Sequence, residues 1–126
     1  MKLHTAILEH IGREHADALA APPRLTQDAL TITLRNGVTL TVRYAAPDAY
    51  SLRWNSGPDT LEMGINTAPT HPHLSTHPNH LLRSDGTAAA DPITRIDASP
   101  EANVGALITA LMRDPLIGAT PPASQP

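Results

Sequence analysis

A chain of 126 residues carries a formal net charge of −3 with its histidines neutral, which excludes a nucleic-acid binder held by bulk positive charge and leaves room only for a local basic strip. It has no Phe, no Cys, one Trp and two Tyr, so Leu, Ile, Val and Ala must build the core. Disulfides, thiolate zinc sites and cysteine nucleophiles are ruled out. At this length one domain is expected, burying roughly two-thirds of the surface that its unfolded form exposes.

The N-terminal stretch MKLHTAILEHIGREH is broken by charges and histidines and offers no signal-peptide apolar stretch. No apolar run approaches the ~20 residues of a membrane helix, so the cytoplasm is the expected compartment and no membrane partner is expected. Residues 2–20 read as a helix: Leu3, Ile7, Ile11 and Ala18 recur at helical spacing, Leu8 and Leu19 widen the stripe, and Pro22-Pro23 stop it. His4, His10 and His15 form no regular pair on that helix and are expected at its surface.

The middle of the chain predicts a hairpin. Leu30, Ile32 and Leu34 alternate with Thr31, Thr33 and Arg35; after Asn36-Gly37, Val38, Leu40, Val42 and Tyr44 alternate with Thr39, Thr41 and Arg43. Asn-Gly between period-two segments is the signature of a type I′ turn. A third strand carries Tyr50, Leu52 and Trp54 on one face, Ser56-Gly57-Pro58-Asp59 turns the chain, and Leu61, Met63 and Ile65 mark a fourth strand. His80–Arg83 and Ile93–Asp97 are candidates for a fifth and a sixth. A meander with one apolar face needs a cover, and the terminal helices are available for it. Ser99-Pro100-Glu101 opens the second of these with an N-cap, a first-turn proline and an acid, and Val104, Leu107, Ile108 and Leu111 form its stripe. The expected fold is α+β: an antiparallel meander of four to six strands with N- and C-terminal helices packed on one face. Residues 1–116 form this domain, and the Pro-rich tail, residues 117–126, is expected to be disordered.

Between sheet and second helix lies a long Pro-rich segment holding His71, His73, His77 and His80. Loops of this length in small domains are functional or poorly ordered. Three readings are open: a solvated polar loop, a general acid/base site because imidazole passes protons near neutrality, or a divalent-metal site from His-x-His spacing, with no carboxylate evident to complete it. Arg35, Arg43 and Arg53 alternate opposite the apolar positions and therefore share a sheet face, with Lys2 or Arg83 as a further member of the set; they could meet a phosphate backbone or be ordinary solvated charge. Parity puts Trp54, Tyr44 and Tyr50 in the core. Serine-nucleophile motifs, P-loops, dinucleotide fingerprints and H-E-x-x-H are missing, and no cofactor is implied.

The segments Tyr50-Ser51-Leu52-Arg53-Trp54, Ile65-Asn66-Thr67-Ala68-Pro69-Thr70-His71-Pro72 and Ser75-Thr76-His77-Pro78-Asn79-His80, followed by an amphipathic helix, resemble the TumE family of prokaryotic toxin–antitoxin proteins over residues 28–112. Asn66, Pro69, His71, Pro72, Pro78 and His80 fall on the family's motif positions; Met63-Gly64-Ile65 stand where it commonly has Arg and Asp, and Asn79 stands in its Pro-His-His-x-His segment. The resemblance implies a toxin paired with a small antitoxin protein, acting on RNA. On that reading the enzyme is a metal-independent ribonuclease with His71 and His80 as acid/base pair and Arg53 or Arg83 stabilising the phosphorane. Arg35, Arg43, Asn66, His73 and His77 would bind substrate. The alternatives are a non-enzymatic interaction module whose sheet edge or helix groove receives a partner segment, and a protein binding a divalent metal through the histidine loop.

Overall fold

The computed structural model describes residues 2–57 and 61–118. Helix α1 (Lys2–Glu14) leads into a seven-stranded antiparallel meander of β1 (Arg24–Leu25), β2 (Leu30–Thr33), β3 (Thr39–Ala46), β4 (Ala49–Asn55), β5 (Met63–Asn66), β6 (His80–Leu82) and β7 (Ala88–Ala90), and α2 (Pro100–Arg113) closes the chain. Each strand pairs with its sequence neighbours in the order β1 to β7. The alternation seen in the sequence sets the faces. Leu30, Ile32, Leu40, Val42, Tyr44, Tyr50, Leu52, Trp54, Met63 and Ile65 point to one side, where both helices bury Ile7, Ile11, Val104, Leu107, Ile108 and Leu111 against them. Both helices thus pack on one face, and among the described residues no helix covers the other. No helix among the described residues is long and apolar enough to cross a membrane.

Three expectations are corrected. First, α1 stops at Glu14 rather than running to residue 20, and Ala16–Ala18 form a 3-10 turn. The sheet takes over the backbone there: Leu19 bridges Leu34, Ala20 donates to the Thr33 carbonyl, and Arg35 donates to that of Ala18. Pairing outcompetes a helix already weakened by Gly12. Second, the hairpin is not closed by a type I′ turn. Leu34 and Val38 face each other across a three-residue loop, Gly37 donates to the Leu34 carbonyl, and φ is positive at Gly37 (93°) but not at Asn36. This is the turn-plus-bulge alternative, and the Asn36 side-chain Nδ2 donates to the Leu111 carbonyl at the end of α2 (2.9 Å).

Third, Ile93–Asp97 is not a strand. Its backbone groups are taken by side chains: Asp91 Oδ1 accepts from the Ile93 and Thr94 amides, and Asn103 accepts from the Arg95 amide while donating to the Arg95 carbonyl. The added strand is instead Ala88–Ala90, reached through a turn at Asp85-Gly86 (Gly86 φ 87°). The described residues after α2 pack back on the domain. Asp114 accepts from the Leu116 and Gly118 amides, Ile117 packs on the core, and Trp54 donates to the Pro115 carbonyl (2.8 Å). The expected tail beyond Gly118 lies outside the described residues.

Candidate functional site on the open sheet face

Cross-strand register decides which polar residues meet. Arg43, Ser51, Asn66, His80 and Ala90 are successive partners across β3 to β7 and therefore stand in one row of the open face. Thr41, Arg53, Gly64, Leu82 and Ala88 form the adjoining row. Residues 67–79 fold back as a chain of turns in which Leu74 donates to the His71 carbonyl, His77 to that of Leu74 and Asn79 to that of Thr76. The Asn66 carboxamide starts the loop by accepting from the Ala68 amide, and Thr67 ties it to both backbone groups of Tyr50.

These turns bring three of the four loop histidines together. The His71 ring stands edge-on to His80 with centroids 4.7 Å apart, and His73 meets His71 at 5.9 Å. His80 is buried, His71 half-buried and His73 exposed. The His80 Nδ1 lies 3.3 Å from the Pro78 carbonyl. A carbonyl only accepts, so this bond puts the proton on Nδ1 and leaves Nε2 as the lone-pair base. His77 is not part of the cluster; it lines a separate hollow with Thr76, Asn79 and Thr94–Asp97.

The arginines are placed less favourably than the sequence led one to expect. Arg43 and Arg53 are exposed on the open face, but the strand spacing sets their Cα atoms about 14 Å and about 12 Å from that of His80. Arg53 approaches Glu62 at 3.6 Å. Arg35 is held at the hairpin end, its Nε donating to the Leu19 carbonyl. Arg83 follows β6 at the turn into β7, where its guanidinium donates to the Thr87 hydroxyl. Neither Arg35 nor Arg83 joins the histidines. Among the described residues no group of three His, Cys, Asp or Glu side chains is arranged to hold a metal ion.

Beneath the loop is a buried polar knot that the sequence did not reveal. The Asn79 Nδ2 donates to Tyr50 Oη (2.8 Å), Asp91 Oδ2 (3.1 Å) and Thr94 Oγ1 (3.2 Å). Thr76 Oγ1 accepts from the Asp91 amide and donates to the Asn79 carbonyl. Burial raises the Tyr50 hydroxyl above its ordinary pKa, so it stays a neutral hydrogen-bonding group. Asn79 therefore works inside the protein as the anchor that fixes the base of the loop next to His80.

His4 is another correction. It is 1 % exposed, not a surface residue, and its Nε2 accepts from the Tyr44 amide (3.1 Å). His15 is half-buried against Gly105 of α2. The chain matches no known family model, no curated protein and no solved structure.

Proposed function

We propose that the open face binds single-stranded RNA and that His71 and His80 transfer protons in its cleavage, as a metal-independent ribonuclease toxin held in check by a small antitoxin protein. The observation that carries the reading is the contact of the two imidazoles at 4.7 Å over the polar row of the sheet. Proton transfer of this kind needs a lone-pair base and an acid within reach of one phosphate. His80, with its proton on Nδ1, offers Nε2 as the base, and the half-buried His71 ring beside it supplies the acid.

In the reaction the base takes the 2′-OH proton, the 2′-oxygen attacks phosphorus, and the bond to the 5′-oxygen breaks. That oxygen leaves with a proton from the other imidazole. The products are a 2′,3′-cyclic phosphate and a 5′-OH, with every proton accounted for. His73, the third ring of the cluster, adds a donor beside the phosphate. Arg43 and Arg53 lie too far for the scissile group and suit the neighbouring nucleotides.

The test is cleavage of an oligoribonucleotide by purified protein with and without chelator, comparing the parent with His71→Gln and His80→Gln. Loss of one proton-transfer group is expected to slow cleavage by about 10²–10⁴-fold, with cyclic-phosphate ends in the parent digest. Equal cleavage by both variants would refute the assignment.

A further inference from the structure

Along β5 the open face reads Glu62, Gly64, Asn66, since alternate residues share a face and Glu62 immediately precedes the strand. Gly64 has no side chain to offer there, and the result is a hollow of about 250 Å³ lined by Arg53, Glu62, Met63, Gly64, Asn66 and Leu82. A Cβ at Gly64 would stand 3.1 Å from the Leu52 carbonyl oxygen, so the gap is built into the sheet and tolerates little else. One of its walls, Asn66, is the register partner of His80. The floor of the hollow and the histidine row are about 8 Å apart between Cα atoms, close enough for one nucleotide to reach both.

The polar rim has a readable chemistry. Arg53 and Glu62 present their charged ends side by side at 3.6 Å, beyond hydrogen-bonding distance. A guanidinium is a donor only and a carboxylate an acceptor only. Guanine is complementary to that pair, because its edge carries O6 as acceptor beside two adjacent N–H donors. Adenine and cytosine place a single amino donor beside an acceptor, and uracil flanks its one donor with acceptors. We infer that the Gly64 hollow is a base subsite for guanine, with Glu62 accepting from the two ring-edge N–H groups and Arg53 donating to O6. The inference rests on the ribonuclease reading for its place in a reaction, and it makes cleavage on the 3′ side of guanosine the preferred event.

Binding is measured first, by calorimetry, with the four nucleoside 3′-monophosphates as probes. Guanosine 3′-monophosphate is expected to bind about tenfold or more tightly than the others, and Glu62→Gln is expected to erase that advantage. Glu62 is exposed, so this variant leaves the fold intact where Gly64→Ala risks it. Equal affinity for all four probes, no binding of any, or an unchanged preference in Glu62→Gln would each overturn the subsite. Mapping RNA ends separates the two claims. Guanine-selective, Glu62-dependent binding with no RNA cleavage would uphold the subsite and reject the ribonuclease. Cleavage without preference for guanosine, equal in parent and Glu62→Gln, would do the reverse.

Discussion

His4 shows how one buried side chain couples this fold to pH. On α1 it sits in the stripe with Ile7 and Ile11, three and seven residues on, and that spacing directs it at the sheet. Its Nε2 accepts from the Tyr44 amide near the register shift between Tyr44 and Ala46. Burial holds the imidazole below its ordinary value of 6.5. Between the folded and unfolded values the unfolded chain binds more protons, so stability rises with pH across that window. The contribution is fully present above 6.5 and is lost as pH falls through the folded value. Replacing His4 by Leu leaves the Tyr44 amide unpaired and is expected to cost about 1–3 kcal/mol at pH 7.5. Urea unfolding at pH 7.5, 6.5 and 5.5 should show the gap between parent and variant narrowing as pH falls; a constant gap would contradict the argument.

The same residue marks the limit of sequence reading at this scale. The stripe was legible, but a histidine on it is read as surface until the partner amide is known. The knot of Asn79, Asp91, Thr94 and Tyr50 was illegible for a like reason. Its members are spread over 45 positions, from Tyr50 to Thr94, and no local period links them. The pairing of His71 with His80 was named only through the family resemblance; the loop's prolines did not show which of its histidines converge, and the fold sets these two rings 4.7 Å apart.

At the scale of elements, the residue that follows α1, His15, meets α2 at a close approach that one glycine allows. A Cβ at Gly105 would lie 2.7 Å from Nε2 of His15, so the ring occupies the space a larger residue would need. Ala at this position is the better helix former by about 1 kcal/mol, but it must push the half-buried ring aside. Gly105→Ala is therefore expected to be less stable in the parent than in a His15→Ala background, with a coupling of about 1 kcal/mol in a double-mutant cycle read by urea denaturation. Zero coupling would show that the ring swings away freely.

Elements whose signals are local were read well. The Ser99 cap accepts from the Ala102 amide as its Ser-Pro-Glu context implies, and the paired strands from Leu30 to Asn55 follow their alternation. Two kinds of element were missed. The strand Ala88–Ala90 has no β-branched or aromatic residue to announce it, and its only cue is the Asp85-Gly86 turn. The helix over residues 15–20 had the right period but lost to pairing of Leu19 with the sheet, an interaction between distant segments.

For the whole molecule, the decisive feature is that a single sheet carries two chemistries. One face is closed by helices around an aliphatic core, with Tyr44 and Tyr50 stacked at 4.7 Å within it. The other is an open field of Thr, Ser and Arg that carries, at β5 and β6, Asn66, the histidine cluster and the Gly64 hollow. A larger groove of about 510 Å³, at Trp54, Leu61 and Leu116, is mainly apolar. Its carboxylate, Asp114, is already bonded to the Leu116 and Gly118 amides. The open face is therefore the surface on which we place the proposed function. Chemical-shift mapping of the labelled protein with a short oligoribonucleotide tests this most directly. The expected result is perturbation of His71, His73, His80, Asn66, Ser51 and the Arg53 side chain, with α1 and α2 unmoved. Shifts confined to the helices or to the Trp54 groove, or none at all at saturating RNA, would contradict it.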